Sequence, residues 1–420
     1  MTVTKHRRDR TPAERRRFLR RRIVVGSLAV VVVAVVVATV SIIVDLSSVH
    51  RSDIEGAPQQ GGDTNILVMG LDSRVDQNGK PLPQDIYDAI NAGDQSDGGY
   101  NANVLMLIHI PADGGKAVGI SIPRDDYVDY PTPFDGTASG KIKEVYGLAM
   151  DQKERELAQQ GLKQDDAYQQ ARAYARQQQI KTVSAFLGDV PVDHFVEITM
   201  AAFYRVAQAV QPITVCLNHA TQDAYSGANF PAGVQELTAA QAMSFVRQRR
   251  DTGPSDLELT DLDRTRRQQA FIVSLATKLK NANTFTNPGT VQSLIDTAKQ
   301  YVALDSSLNL LSFAGQAQGL AGGNMTFVTL PIQSYGVRDG KDVNLVDLPA
   351  IRAQVHDLLN PPTPGADTGG AAPASPDASA PASTDSTTPP ASTPPATTNP
   401  PGVYTDATSP LQSGGVPCVN

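Results

Sequence analysis

The residues from about 60 to 360 alternate between short apolar runs and longer segments with helical spacing. The apolar runs have the length of strands and are bounded mainly by Gly, Asp, Asn or Pro. They are TNILVMG (64–70), NVLMLIHI (103–110), KAVGISI (116–122), HFVEI (194–198), PITVCL (212–217) and MTFVTLPI (325–332). Helices are predicted over 164–187, 200–210, 237–246 and 264–280. This alternation predicts one α/β domain with a central mixed sheet flanked by helices.

The N-terminal residues have a different pattern, in which a basic block precedes an uncharged apolar run. Residues 1–22 contain ten Lys or Arg against two acidic residues, and residues 23–44 contain no charge. About 20 apolar residues span a bilayer, a signal-peptide core is shorter, and a basic flank stays in the cytoplasm. We therefore predict a single-pass cell-membrane protein with a cytoplasmic tail (1–22), a transmembrane helix (23–44), a juxtamembrane linker (45–59) and an extracytoplasmic domain (60–360). A nucleic-acid-binding arm would explain the charge but not the apolar run.

The chain after residue 360 divides into a spacer and a short segment that carries a cysteine. Residues 361–402 are rich in Pro, Ala, Ser and Thr and contain no aromatic residue. Such a segment cannot bury enough surface to offset the entropy of ordering, so it is predicted to be disordered. Residues 403–420 contain Cys418, and the other cysteine, Cys216, lies in a predicted strand. An oxidising exterior favours an intramolecular bridge between them, although two free thiols or an intermolecular bridge stay open on the sequence alone.

The distribution of charge argues against a nucleic-acid partner. The formal net charge is −7, and removing the eight net positive charges of residues 1–22 leaves −15. Basic clusters in the remaining chain are therefore local sites and not part of a general cationic surface. The sequence also lacks phosphate-loop or Rossmann spacing, a G-x-S-x-G nucleophile and histidines spaced as metal ligands.

The stretch FVRQRRDTGPSDLELTDLDRTRRQQ (245–269) concentrates arginines among aspartates. If its first residues are extended, the period of two places Arg247 and Arg249 on the same side of the chain. Guanidinium groups match the oxygens of a phosphate in geometry as well as in charge. The stretch therefore predicts a pocket for phosphate or pyrophosphate, with a surface network of salt bridges as the alternative.

The second half of this stretch is predicted to begin a helix. Thr260 can cap that helix, with Asp263 as the residue that completes a weak capping box. The spacing i, i+3 and i+4 predicts a shared helix face for Arg264, Arg267 and Gln268. The N–H groups and dipole of the helix N-terminus would add to the cationic pocket.

Other charged residues follow predicted strands, where α/β proteins bind ligands. Asp72 and Arg74 follow the first strand, and Arg124 with two aspartates follows the third. Lys141 lies in the later segment KIKEVYG. We expect these side chains to reach the same edge of the sheet as the arginine stretch.

These segments, taken in order, resemble the LytR-CpsA-Psr family over about residues 60–360. The motifs that carry the resemblance are NILVMGLDSR, LMLIHI, SIPRD, KIKEVYG, VDHFVEI, AMSFVRQRR and TDLDRTRRQQ. The resemblance implies a membrane-anchored phosphotransferase. Such an enzyme takes a glycopolymer from a polyprenyl-pyrophosphate carrier and attaches it to peptidoglycan through a phosphodiester.

The resemblance also implies roles for individual residues. The residues implied to be catalytic are Arg124, Lys141, Arg247, Arg249, Asp261, Arg267 and Gln268. Together with the spacing argument, it predicts a pyrophosphate-binding set of Arg74, Arg124, Lys141, Arg247, Arg249, Arg264 and Arg267.

The resemblance also implies Mg²⁺ as a cofactor, for which Asp72 and Asn103 are the expected ligands. The chain departs from the family here, because NANVLML replaces RSDTMML, so that Asn101 and Asn103 stand in place of an Arg and a second metal carboxylate. A neutral Asn should bind Mg²⁺ more weakly than Asp does. The alternative function is therefore a non-catalytic protein that binds polyprenyl phosphate or a cell-wall glycopolymer.

Overall fold

The structure is a computed structural model that describes residues 48–55, 62–91, 93, 96–255, 257–281, 287–308, 324–361 and 402–420. The predicted cytoplasmic tail, the predicted transmembrane helix and nearly all of the predicted spacer lie outside these ranges. Within the described ranges, no helix has the length and apolar character needed to cross a bilayer.

Eight strands form a central mixed sheet. They are β1 (His50–Ser52), β2 (Thr64–Leu71), β3 (Ala102–Ile110), β4 (Ala117–Ile122), β7 (His194–Thr199), β12 (Val302–Asp305), β13 (Met325–Thr329) and β16 (Leu411–Gln412). Their order across the sheet is β1-β12-β7-β2-β3-β4-β13-β16. The pairs β1/β12, β2/β7 and β4/β13 are parallel, and the other four pairs are antiparallel.

The remaining strands form smaller sheets and hairpins around this one. They are β5 (Tyr127–Phe134), β6 (Thr137–Lys141), β8 (Ile213–Leu217), β9 (Thr221–Asp223), β10 (Ala228–Phe230), β11 (Gly233–Leu237), β14 (Ser334–Arg338), β15 (Lys341–Leu345) and β17 (Cys418–Val419). Three of them form a sheet in the order β11-β8-β17, and the others pair as β5/β6, β9/β10 and β14/β15.

Helices cover both faces of the central sheet. They are α1 (Gln84–Ile90), α2 (Val145–Gln159), α3 (Gln164–Phe186), α4 (Met200–Val210), α5 (Ala239–Arg247), α6 (Asp261–Asn281), α7 (Pro288–Tyr301) and α8 (Leu348–Leu359). The α/β architecture with a central mixed sheet, predicted from the alternation of apolar runs and helical segments, is confirmed.

The alternation of side chains along the central strands creates two separate cores. Leu67 and Met69 of β2 pack on one face with α2, α3 and α8. Val68, between them, packs on the other face with α4, α5 and α6. Each predicted strand and helix matches an observed one with ends that agree within about three residues.

The C-terminal segment is an integral part of the domain. β17 pairs in parallel with β8, and this register places Cys418 beside Cys216. The two cysteines form a disulfide with their Cα atoms 4.3 Å apart, which confirms the predicted intramolecular bridge. β16 adds an edge strand to the central sheet, and its Leu411 is fully buried.

Candidate functional site

A cavity of about 360 Å³ opens at one edge of the central sheet. The residues at or after the ends of β2, β4 and β7 line it, together with the start of α4, the end of α5 and the start of α6. This is the edge at which the charged residues that follow the predicted strands were expected to meet. The cavity therefore forms where ligands bind in open α/β sheets.

One wall of the cavity is strongly cationic. The arginines that line it are Arg74, Arg124, Arg247, Arg249 and Arg264. Asp72, Asn103 and Gln268 also line the cavity, so the structure brings together eight of the residues that sequence analysis proposed for the site.

Much of the remaining lining is apolar, and sequence analysis did not identify it. Its side chains include Ile198, Met200, Phe203, Met243 and Val246. The signal in the sequence is an uncharged run, ITMAAFY (198–204), which crosses the junction of β7 and α4. Because this run is divided between a strand and a helix, its pattern predicts two structural elements and does not indicate a binding surface.

Asp261 organises two of the arginines. Its two carboxylate oxygens lie 3.1 Å from Arg124 Nη2 and 3.0 Å from Arg264 Nη2. Arg124 Nη1 also donates a hydrogen bond to Asn103 Oδ1 at 2.8 Å. Both guanidinium groups are thus fixed in orientation before any ligand arrives, which lowers the entropic cost of binding.

The helix that carries Asp261 is capped as predicted. The Thr260 hydroxyl accepts a hydrogen bond from Leu262 N at 3.2 Å, and Asp263 Oδ2 accepts one from Thr260 N at 2.8 Å. The cap fixes the first turn of α6 and therefore the position of Arg264.

Arg247 and Arg249 reach the cavity because the chain becomes extended where α5 ends. Gln248 has φ −61° and ψ 129°, and its side chain is fully buried on the side away from the cavity. Arg247 Nη1 donates to the carbonyl oxygen of Asn91 at 3.0 Å. Arg249 has no ion-pair partner among the described residues. The predicted alternation of these side chains is confirmed.

The arginines affect one another electrostatically. Burial lowers the pKa of Arg264 to about 10, with Asp261 opposing the shift and the charges of Arg124 and Arg249 adding to it. Burial also lowers the pKa of Arg249, again helped by Arg124. Because an arginine side chain stays protonated in proteins, an anion that enters the cavity would relieve the repulsion between these like charges.

Arg267 does not face the cavity, which corrects the predicted shared face for this residue. Its Nη1 donates to Gln248 Oε1 at 2.6 Å, and its Nε donates to the backbone oxygen of Asn420 at 2.7 Å. Three residues advance a helix by about 300° and four by about 400°, so Gln268 stays nearer than Arg267 to the direction of Arg264. Arg267 instead holds the C-terminal segment.

Lys141 lies behind the cationic wall and does not line the cavity. Its Nζ is 3.2 Å from Asp125 Oδ1, and Lys143 Nζ is 2.7 Å from the same oxygen. Burial would raise the pKa of Asp125, but Lys143, Arg124 and Lys141 outweigh it and lower that pKa to about 2. Lys141 therefore contributes to the site through Asp125.

The residues around Asp72 do not suit Mg²⁺ in the arrangement observed. Asp72 Oδ1 accepts from Asn101 N at 2.9 Å, and Asp72 Oδ2 accepts from Asn103 Nδ2 at 2.9 Å and from Asn101 Nδ2 at 3.2 Å. The amide oxygen of Asn103 is taken by Arg124. Across the described ranges, no three His, Cys, Asp or Glu side chains converge as metal ligands. The expected Mg²⁺ stays a prediction, and the chemistry derived below does not use it.

Comparison with known proteins identifies relatives over most of the chain. The Cell wall biosynthesis protein LcpA of Corynebacterium glutamicum is 37% identical over 311 residues, which are 73% of this chain and 58% of LcpA. The Probable cell wall biosynthesis protein LcpB of the same organism is 27% identical over 72% of this chain and 63% of LcpB. The chain thus spans less than two thirds of the length of these two relatives.

Solved structures support the fold. Protein gbs0355 from Streptococcus agalactiae superposes with a TM-score of 0.50 at 16% identity, over 71% of this chain and 88% of that protein. The LytR_cpsA_psr family model matches residues 32–358, which include the whole cationic cavity. The chain is a member of the LytR-CpsA-Psr family.

Proposed function

We propose that this protein is a phosphotransferase that moves a glycopolymer from a polyprenyl-pyrophosphate carrier to peptidoglycan during assembly of the cell wall. The observation that carries the proposal is the division of one cavity's lining between five arginines and a set of apolar side chains. A polyprenyl pyrophosphate has the same division, because a doubly charged diphosphate is joined to a hydrocarbon chain.

Named relatives support this assignment. A protein from Oceanobacillus iheyensis named polyisoprenyl-teichoic acid–peptidoglycan teichoic acid transferase TagU is 24% identical over 65% of this chain and 67% of its own length. LcpA and LcpB are named as cell wall biosynthesis proteins. These names agree with a lipid-linked polymer as the donor and peptidoglycan as the acceptor.

The reaction consists of one displacement at phosphorus. The oxygen of a sugar hydroxyl on peptidoglycan forms a bond to the phosphorus that carries the glycopolymer. The bond from that phosphorus to the bridging oxygen breaks, and polyprenyl phosphate leaves. The departing phosphate can take up the hydroxyl proton, because the second pKa of a phosphate monoester is about 6.

The arginines supply the catalysis that such a displacement needs. Negative charge develops on the bridging oxygen as the bond breaks, and guanidinium groups held in place stabilise it without reorganising. Arg124 and Arg264 are held by Asp261, whereas Arg249 is free of ion pairs among the described residues and available to a phosphate oxygen. Gln268 lines the same space and can orient a hydroxyl or phosphate oxygen.

The location of the substrates agrees with the predicted membrane anchor. A polyprenyl carrier stays in the bilayer, so its diphosphate is available only to a domain held close to the membrane surface. The uncharged residues 23–44 would provide that anchor, with the basic residues 1–22 in the cytoplasm.

A lipid-binding protein without catalysis is the second candidate, and the asparagines beside Asp72 favour it. A family site with a carboxylate in place of Asn103 would have more negative charge to bind a metal ion. Under this alternative the cavity would bind the carrier but would not break the pyrophosphate.

A transfer assay separates the two functions. The full chain in detergent micelles is mixed with a fluorescent oligosaccharide on polyprenyl pyrophosphate and with soluble peptidoglycan strands. We expect labelled peptidoglycan and an equal amount of polyprenyl phosphate, and we expect loss of both products in Arg124→Ala. Binding of the lipid without release of polyprenyl phosphate, with or without Mg²⁺, would leave the binding function as the better account.

A further inference from the structure

A second cavity, of about 400 Å³, lies beside the β5–β6 and β14–β15 hairpins. The residues that contribute polar groups to it include Tyr127, Ser139, Lys141, Glu144, Arg338, Asp339 and Lys341. Leu148, which is half-buried, supplies an apolar surface. None of these side chains except Lys141 was proposed for the site from the sequence.

The two cavities share a wall made of charged side chains. Lys141 lines the second cavity and is 3.2 Å from Asp125 Oδ1. The other oxygen of Asp125 is 3.5 Å from Nε of Arg124, which lines the cationic cavity. The second cavity is therefore connected, through the single carboxylate of Asp125, to the arginine that is expected to contact the diphosphate.

The polar groups of the second cavity differ from those of the first. The Tyr127 hydroxyl donates to Asp339 Oδ2 at 2.9 Å and lies 2.8 Å from Ser139 Oγ. Lys341 Nζ donates to both carboxylate oxygens of Glu144, at 2.9 and 3.0 Å. Donors and acceptors thus alternate. Of the three cations in the lining, Lys141 and Lys341 are paired with carboxylates, whereas Arg338 donates to the Val337 carbonyl oxygen.

Such a lining suits a sugar better than a phosphate. Sugar hydroxyls both donate and accept hydrogen bonds, and amino-sugar rings have apolar faces that can rest on Leu148. Arg338 would attract a phosphate group, but Glu144 and Asp339 in the same lining would repel it.

The cavity is held open by contacts that do not involve a ligand. Asn344 of β15 donates its backbone N–H to the Asp125 carbonyl oxygen and its side-chain amide to Asp126 Oδ1, each at 2.9 Å. The Tyr130 hydroxyl donates to the Lys141 carbonyl oxygen at 3.1 Å. Asp339 and Gly340 have φ of 51° and 72°, as a tight two-residue hairpin turn requires. Both hairpins are therefore fixed relative to the cationic wall.

We propose that the second cavity is the acceptor subsite, which binds the N-acetylated amino sugars of a peptidoglycan strand. This inference rests on the proposed transfer function and adds the residues that select its acceptor. A strand bound there runs past Lys141 to the cationic cavity, where the hydroxyl of a neighbouring sugar meets the phosphorus. The bonds made and broken are those of the displacement described above, and Lys141 is a positioning residue between the two subsites.

The test measures binding of the two substrates separately. The full chain is titrated with a soluble, uncrosslinked strand of alternating N-acetylglucosamine and N-acetylmuramic acid, and in parallel with a short-chain polyprenyl pyrophosphate. Thr137→Trp places a bulky ring in the second cavity from an exposed position, and Lys341→Ala removes one polar contact. Asp342→Asn is the matched control, because Asp342 is the exposed neighbour on the opposite face of the same hairpin.

We expect the Kd for the glycan strand to rise about tenfold or more in Thr137→Trp and about threefold in Lys341→Ala, with the Kd for the lipid changed less than about twofold. Asp342→Asn should change neither constant. A glycan Kd unchanged in Thr137→Trp, with a normal melting temperature, would overturn the inference. So would an equal loss of glycan affinity in Arg249→Ala, because it would place the glycan in the cationic cavity.

The same titrations separate this inference from the proposed function. If the wild-type chain binds the strand in the second cavity but releases no polyprenyl phosphate, the transfer function fails and the glycan subsite remains. If the wild-type chain transfers polymer while Thr137→Trp keeps the wild-type KM for the acceptor, the subsite fails and the transfer function remains.

Discussion

Arg249 and Arg124 show how two arginines of one cavity can differ in what they stabilise. Arg124 contacts Asp261 at 3.1 Å and Asn103 at 2.8 Å, so it is part of the protein's own network as well as of the site. Arg249 has no ion pair among the described residues, and the positive charges of Arg124 and Arg250 help to lower its pKa. Removing Arg249 therefore removes a ligand contact without leaving a buried carboxylate uncompensated.

We predict that Arg249→Ala weakens binding of a polyprenyl pyrophosphate by about 1.5–3 kcal/mol, the value of one charge-assisted hydrogen bond, while the melting temperature stays unchanged. Isothermal titration and thermal unfolding of the same sample measure both quantities. Arg250→Ala is the control, because Arg250 stacks on Tyr225 outside the cavity. Equal affinity in the wild type and Arg249→Ala would favour a surface charge network over a phosphate site.

Asn103 offers a second test at the level of one residue. In Asn103→Asp the amide that donates to Asp72 Oδ2 at 2.9 Å becomes a carboxylate, so two negative groups face each other. Such a pair favours a divalent cation. We predict that Mg²⁺ binds more tightly to Asn103→Asp than to the wild type, measured by titration in the absence of lipid. The gain should vanish in Asp72→Ala/Asn103→Asp, and its persistence there would place the metal elsewhere.

Helix α6 connects the site to the C-terminal segment. Arg264 and Gln268 line the cavity on one side, whereas Arg266 and Arg267 contact the C-terminal segment on another. Arg266 Nη2 donates to the Ala407 carbonyl oxygen at 2.8 Å, and its guanidinium lies over the ring of Tyr404. The arginine-rich helix therefore lines the cavity and also holds the C-terminal segment.

We predict that Arg267→Met lowers the free energy of unfolding by about 1–3 kcal/mol, because buried Gln248 Oε1 keeps only the Thr221 hydroxyl as a donor and the partly buried Asn420 oxygen loses the donor Arg267 Nε. Lipid affinity should fall much less than in Arg249→Ala. Urea unfolding and lipid titration provide the two readings. The opposite result, normal stability with lost affinity, would support the catalytic role that family resemblance implies for Arg267.

Sequence analysis correctly predicted the strands and helices whose pattern of apolar and polar residues is strong. Apolar runs of strand length predicted β2, β3 and β4, and the Ala- and Gln-rich stretch predicted α3. The β14–β15 hairpin was missed because SYGVR and KDVNL are short, mostly exposed and without a buried face to produce alternation. Helix α2 was missed because its sequence starts with a β-branched residue and contains Gly147 in its first turn.

The part of the site that local sequence spacing determines could be predicted, and the part that distant contacts determine could not. Spacing in the chain predicts the direction of neighbouring side chains, which succeeded for Arg247 and Arg249. The direction of Arg267 depends on the C-terminal segment, whose contacts lie more than 150 residues away in sequence. Chain spacing cannot contain that information, and it also cannot show that Met243 and Phe203 would line the same cavity.

A buried charge cluster between the central sheet and α3 contributes to the stability of the domain. Glu197 of β7 is fully buried and forms ion pairs with Arg172 and Arg176, the latter at 2.7 Å. Burial would raise the pKa of Glu197, but the charges of both arginines outweigh it and lower that pKa to about 2. A carboxyl with a depressed pKa stabilises the fold above its unfolded pKa and loses that contribution as the pH falls through the folded value.

We therefore predict a loss of stability as the pH falls from about 4.5 to about 2, where Glu197 becomes protonated. Chemical unfolding across this range measures the slope. Glu197→Gln should be less stable than the wild type at pH 7, since two buried arginines lose their counter-charge, and its acid slope should be shallower. A slope identical to that of the wild type would assign the acid transition to other carboxyls, among which Asp125 is the first to test.

The return of the chain at residue 402 changes the topology of the domain. Pro361 follows α8, and Gly402 accepts a hydrogen bond from Cys418 N at 2.7 Å, next to the bridge to Cys216. The segment 362–401 is therefore connected to the domain at both ends. The backbone connects it at residue 361, and the disulfide between Cys418 and Cys216 closes the covalent ring at the other end. A single protease cut anywhere in 362–401 opens this ring but releases nothing. The cut protein should run as one band without reductant and as two bands with it, and any partner attached to the cut segment would remain tethered to the domain.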